Sequence, residues 1–251
     1  MKAVFMGSDP IALPMLRHLQ SGDRSGLVLQ AIFTQPDRKA GRGMKLHENA
    51  IKRWALDNDL PVYQPRKCGE AETSLLKDLG IDLVLVMAYG QILPRGLLEA
   101  APLGTLNFHA SLLPRLRGAS PIHTAVAIGL KETGVSLMRI IPKLDAGPVA
   151  DVERVAIGPV DTSPDIHERL GQACLPLIDR CLPQIADKSI QFSEQDPAEV
   201  TFCRIIEKTD RYLDFNTPAK DLANRVRAFV PWPGTTFPFD DQEIRILDAR
   251  A

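Results

Sequence analysis

A chain of 251 residues with 30 Lys or Arg, 31 Asp or Glu and a formal charge of −1 has room for one large α/β domain with an appendage, and buries roughly 70–75% of its unfolded surface without staples. Its 45% apolar and 24% charged residues exclude a disordered tail or a fibre, and its near-neutral balance excludes coating nucleic acid by overall charge, though not a local basic patch. No apolar run approaches the ~18 residues of a membrane span, Met1–Phe5 is too short for a signal peptide, and Cys68, Cys174, Cys181 and Cys203 lack CxxC spacing, which reads as buried thiols in a reducing, cytoplasmic compartment.

The chain alternates short apolar runs with amphipathic stretches. Lys2–Met6 reads as a strand, followed by a turn in which Asp9 caps a helix over Ile11–Gln20 with Pro10 at its first position. Leu27–Phe33 is the second strand, Glu48–Asn58 a helix and Val62–Tyr63 a short strand. Thr73 or Ser74 is expected to cap a helical turn over Leu75–Leu79. Leu83–Met87 is continuously apolar, as a strand covered on both faces requires. Pro94–Ala101 reads as helix and Thr105–Phe108 as strand. Two further strands, Thr133–Ile141 and Val149–Ile157, flank Asp145-Ala146-Gly147, and a long helix covers Asp165–Ala186. A polar stretch, 187–203, reads as a linker. Beyond it lie a helix at Pro218–Phe229 and strands near Thr235–Phe239 and Glu243–Leu247. This order implies an open, mostly parallel, Rossmann-like sheet with helices on both faces. The first turn has only Gly7, so it is no dinucleotide fingerprint, and there is no Walker sequence.

The most informative segment is Asn107-Phe108-His109. Period two puts the amide and the imidazole on one side of a strand end and Phe108 on the other. Ligands of open α/β sheets bind at carboxyl ends of strands. There an Asn can donate to a developing oxyanion and a His can move protons, which suits acyl transfer. A polar strand end satisfied by backbone is the alternative. Asp145 admits two readings as well: a turn former in Asp-x-Gly, or a carboxylate that orients His109 and favours its charged form.

Asn107, His109, the Ser-Leu-Leu-Pro run at 111–114, Arg117-Gly118 and Leu144-Asp145-x-Gly147 together resemble the folate-dependent formyltransferases, over about residues 1–235. The resemblance implies Asn107, His109 and Asp145 as a catalytic trio. It implies 10-formyltetrahydrofolate as co-substrate, bound along Met87, Ala88, Tyr89, Gly90, Gln91, Ile92 and Leu93 and along Ser111, Leu112, Leu113 and Pro114. A substrate amine then attacks the formyl carbon while Asn107 and protonated His109 stabilise the oxyanion.

The acceptor is addressed by residues 34–52, which hold five Lys or Arg against two acids. A solvated surface loop is one reading, and a loop that folds onto a phosphate backbone is the other. The segment resembles the insertion by which family members acting on methionyl-tRNA grip the acceptor arm. Arg42 is then the leading contact, with Arg38, Lys39 and Lys45 in support. Arg115 and Arg117 are expected to face phosphates, or to pack by their stems. His123 reads as structural, and His18, His47 and His167 show no metal spacing, so no metal is expected.

Arg225–Pro233 resembles the family's passage into a C-terminal β-barrel. The last 51 residues hold eight basic and eight acidic side chains, too few residues to close five strands. The expected organisation is a catalytic domain at 1–186, a linker at 187–203 and a short, truncated, OB-like segment at 204–251. The expected function is formylation of methionyl initiator tRNA by a monomer with no membrane attachment. Two other functions compete with it, N-formylation of a sugar nucleotide and tRNA binding without catalysis.

Overall fold

The computed structural model describes residues 1–21, 26–40 and 43–251. In chain order it begins with β1 (Lys2–Gly7), α1 (Leu13–Gln20), β2 (Val28–Phe33), β3 (Arg38–Ala40), β4 (Lys45–His47), α2 (Ala50–Asp57) and β5 (Val62–Tyr63). Next come α3 (Glu70–Asp78), β6 (Leu83–Met87), α4 (Arg95–Leu98), β7 (Thr105–His109), β8 (Arg117–Gly118) and α5 (Pro121–Ala127). The remainder is β9 (Glu132–Arg139), β10 (Val149–Ala156), α6 (Ser163–Ala186), β11 (Phe202–Cys203), α7 (Ala219–Ala228), β12 (Thr235–Phe239) and β13 (Gln242–Ile246). The chain divides into one unit of Met1–His109, Ser136–Glu153 and Gly171–Gln195, and a second of Ala110–Val135, Arg154–Leu170 and Asp196–Ala251.

Seven strands form the main sheet in the order β10-β9-β7-β6-β1-β2-β5. From β5 through β7 the pairs are parallel, while β9 returns antiparallel to β7. The apolar runs therefore become strands covered on both sides, as their composition requires. On one face Val4, Met6, Phe33, Val84 and Val86 cluster with Leu76 of α3 and Leu97 of α4. The alternate residues Phe5, Ile32 and Leu85, all fully buried, point to the other face. Each such side chain contributes about 1.5–3 kcal/mol of burial.

Three local expectations are corrected. The first helix starts as a 3-10 turn, Pro10–Ala12, whose cap is indeed Asp9, accepting from the Ile11 N–H at 2.9 Å. Pro14 then falls near the start of α1, where no helical donor is lost. Helix α3 begins at Glu70, several residues before the expected cap. The Glu72 carboxylate accepts from the Gly69 N–H at 2.7 Å, and Thr73 instead donates backward to the Gly69 carbonyl at 2.8 Å, so the hydroxyl does not cap. Finally, the basic loop contains an antiparallel ribbon, with Arg38 opposite His47 and Lys39 opposite Leu46. Periodicity could not reveal it because strands of three residues are too short to show a period, and Leu46 is 68% exposed.

Within the second unit β8 pairs parallel with β11, Arg117 against Phe202 and Gly118 against Cys203. Gly118 has φ +121°, and a Cβ there would lie 2.1 Å from the Cys203 carbonyl oxygen, so only glycine fits. Arg227 of α7 donates to the carbonyls of Gly158 and Asp161 at 3.2 and 2.7 Å. β12 and β13 form an antiparallel hairpin, and Tyr212 bridges to Thr236. Among the described residues no helix is long and apolar enough to cross a membrane.

Candidate active site

β7 places Asn107 between Val86 of β6 and Met138 of β9, and His109 opposite Ser136. The alternation of the strand then sets Asn107 and His109 on one side, with Phe108 buried on the other. His109 is 6% exposed. Its Nδ1 lies 3.8 Å from Oδ2 of Asp145, within ion-pair range and beyond a direct hydrogen bond. Such contacts tighten when substrate closes a site.

Asp145 reaches that position through a strained turn. Strand β9 ends at Arg139, and the Arg139 N–H donates to the Pro148 carbonyl at 3.0 Å, closing the connection to β10. Asp145 itself has φ +43°, a left-handed conformation that Asp tolerates better than most residues. A Cβ on Gly147 would lie 1.8 Å from the Arg139 carbonyl oxygen, so the glycine of Asp-x-Gly is a steric necessity. Asp145 thus forms the turn, and the turn brings its carboxylate within 3.8 Å of the His109 ring. The side-chain amide of Gln195 donates to the carbonyls of Asp145 and Gly147 at 2.9 and 2.7 Å. Gln195 falls in the polar stretch read as a linker, where no pattern distinguishes it. Arg139, whose guanidinium lies 4.6 Å over the Phe192 ring, was equally invisible to motif reading.

The loop after β6 is partly core. Met87, Tyr89 and Leu93 are buried, while Ala88, Gly90 and Ile92 are exposed and Gln91 is half-buried. Tyr89 sits with its hydroxyl 3.3 Å from the Cys68 sulfur, and burial raises its pKa far above the ordinary phenol value. The Gln91 amide is committed, accepting from Cys68 N–H at 3.0 Å and donating to the Pro65 carbonyl at 2.8 Å. The Ala88 and Tyr89 carbonyls accept from the Ser8 N–H at 3.2 Å and the Gln35 amide at 3.0 Å, while the Ile92 side chain is exposed. Burial pushes Cys174 up to about 12 and Cys181 up to about 11.

In the second unit, directly after His109 in the chain, Ser111 is buried and donates to the Arg115 carbonyl at 2.6 Å. Leu112, Leu113 and Pro114 are half-buried. The exposed Arg115 pairs with Glu199 at 2.6 Å, a partner no motif announced. Arg117, for which phosphate contact and packing by its stem were both open, is only 5% exposed.

The base of the basic ribbon is neutralised internally. Lys52 pairs with Asp37 at 2.7 Å and Glu48 at 2.9 Å. Hydrogen bonds from Gln64, then Lys52, hold the Asp37 carboxyl below its ordinary value. Arg38 is exposed and donates to Gln35 at 3.1 Å, while Gln35 donates to the Tyr89 carbonyl at 3.0 Å. The ribbon base is thereby tied to the loop after β6. Arg42 and the side chains of Lys39 and Lys45 lie outside the described residues. Among the described residues no group of three or more His, Cys, Asp or Glu is arranged to hold a metal ion.

The formyl transferase family matches residues 1–176, and the formyl transferase C-terminal domain matches residues 205–251. This chain belongs to the formyltransferase family. The methionyl-tRNA formyltransferase of Methylococcus capsulatus is 42% identical over 251 residues, covering 100% of this chain and 80% of the relative. That of Parvibaculum lavamentivorans is 40% identical, covering 100% and 81%. Solved formyltransferases share the fold at low identity. A sugar N-formyltransferase from Shewanella superposes with a TM-score of 0.75 at 17% identity, covering 100% of this chain and 98% of its own. A 4-N formyltransferase from Francisella tularensis gives 0.77 at 14%, covering 100% and 98%. As a formyltransferase the chain is an enzyme of one-carbon acyl transfer, the chemistry for which an amide and an imidazole at a strand end are suited.

Proposed function

We propose that this formyltransferase transfers the formyl group of 10-formyltetrahydrofolate to the free amine of methionyl initiator tRNA, in the cytoplasm and as a monomer. The observation that carries the acceptor is the 42% identity, over the whole chain, to a relative named for that reaction. The geometry supports the chemistry. The amine attacks the formyl carbon, and the carbonyl oxygen becomes an oxyanion that takes hydrogen bonds from Asn107 and protonated His109. Asp145, 3.8 Å from the His109 ring, compensates the imidazolium and helps, through water, to take up the amine proton; collapse of the tetrahedral intermediate breaks the bond from the formyl carbon to the folate nitrogen, which takes a proton as tetrahydrofolate leaves. Folate lies along Met87–Leu93 and Ser111–Pro114. The catalytic domain is assigned to 1–186, the linker to 187–203 and the C-terminal segment to 204–251. Arg38, Lys39, Arg42 and Lys45 provide the phosphate contacts, and Arg115 joins them by exchanging Glu199 for a phosphate.

The test is acceptor choice. With 10-formyltetrahydrofolate supplied, charged initiator tRNA is expected to become formylated and an amino-sugar nucleotide to remain unchanged. Formylation of the sugar nucleotide alone would transfer the assignment to the sugar enzymes. Binding of tRNA with neither amine formylated would make the chain a tRNA-binding protein.

A further inference from the structure

We propose that Gln195 is a positioning residue for the Asp145 carboxylate. The proposal rests on the reading of Asn107, His109 and Asp145 as the catalytic trio.

A side-chain amide carries two N–H donors. Gln195 directs both to the turn that bears Asp145, one to the Asp145 carbonyl at 2.9 Å and one to the Gly147 carbonyl at 2.7 Å. These two carbonyls flank the centre of the turn, and Asp145 holds a left-handed φ of +43° between them and β9. Leu144 is 61% exposed while Gly147 is buried, so the turn is packed at one end only, and the amide of Gln195 spans it with two hydrogen bonds.

Gln195 is itself anchored. Two residues earlier, Ser193 and Val149 exchange backbone hydrogen bonds in both directions at 2.9 Å. One residue before that, Phe192 lies under the Arg139 guanidinium at 4.6 Å. The segment is thus pinned to the end of β9 through Arg139 and to the start of β10 through Val149, the two strands that bracket the turn. It works as a strap. Gln195 lies outside both matched stretches, 1–176 and 205–251, and both of its amide donors go to backbone carbonyls of the turn that bears Asp145. The 3.8 Å separation between Asp145 and His109 leaves little tolerance, because a displacement of about 1 Å can cost on the order of 10²-fold in rate.

Gln195→Leu keeps the volume and removes both donors. Steady-state formyl transfer with 10-formyltetrahydrofolate and charged initiator tRNA is expected to show kcat lowered at least about tenfold, with KM for both substrates within about twofold. In an Asp145→Asn background the same substitution is expected to cost less than about twofold more, because the group it positions is gone. Gln195→Asn, one methylene too short to span both carbonyls, is expected to lose kcat likewise and serves if the leucine variant does not fold. Wild-type kcat in the folded Gln195 variants, with Asp145→Asn still slow, overturns the role of Gln195 alone. Equal losses in the two backgrounds overturn it too, since Gln195 would then act elsewhere. Wild-type turnover by Asp145→Asn would instead overturn the trio.

Discussion

The end of β7 and the basic ribbon of β3 and β4 belong to the same compact unit and are built on opposite principles. His109 is 6% exposed and is paired with Ser136 of β9. Leu46 of the ribbon is 68% exposed, and the ribbon has only its own two strands to pair with. Proton transfer and oxyanion stabilisation need fixed atoms in a low-dielectric setting, which a buried strand end supplies. Recognition of a phosphate backbone needs charge that can reach outward, and burying such charge would waste it. Lys52 shows the boundary between the two. Its charge is consumed by Asp37 and Glu48 at the ribbon base, so the proposed phosphate contacts fall to other residues.

The largest effect separating the regions is expected from Asn107→Ala. Loss of one oxyanion donor should lower kcat about 10²–10³-fold while tRNA affinity stays within about twofold; rapid-quench formylation and filter binding read the two quantities. A fall in both together would show that the strand end also holds the acceptor.

A smaller effect, on stability, separates core from ribbon. Leu85→Ala in the fully buried β6 is expected to cost about 2–5 kcal/mol in urea unfolding. Leu46→Ala on the ribbon is expected to change stability by less than about 0.5 kcal/mol. A comparable cost at Leu46 would mean that the ribbon is part of the folded core.

The smallest is expected from Arg38→Ala. It should weaken tRNA binding severalfold and lower the slope of log affinity against log salt by about 1, as for one lost phosphate contact, without altering kcat at saturating tRNA. An unchanged salt slope would assign Arg38 to its hydrogen bond with Gln35 instead.

Much of the sheet was legible because its signals are local. Leu83–Met87 and Val62–Tyr63 occupy the strands their runs of apolar residues imply, and Asp9 caps where a short polar residue before a proline should. The start of α3 was misread because Thr73 looks like a cap in sequence but bonds backward in space. The ribbon was missed because strands of three residues are too short to leave a periodic trace. At the candidate site, the placement of Asn107 and His109 on one side of β7 was legible from alternation along one strand, whereas the turn around Asp145 left two readings open and only the family resemblance singled it out. The partners that hold such residues were not legible. Gln195 is fifty residues from the carbonyl it binds, and Glu199 reaches Arg115 across eighty-four; only the folded chain brings such pairs together. Of the two readings of Arg117, phosphate contact or packing, its 5% exposure favours packing, a depth that charge alone does not signal in sequence.

The central claim is that the chemistry resides at the end of β7. Its most direct test is the single-turnover rate of formyl transfer by His109→Ala, with 10-formyltetrahydrofolate and charged initiator tRNA both saturating. The rate is expected to fall about 10²–10³-fold with tRNA still bound. Formylation at close to the wild-type rate would contradict the assignment.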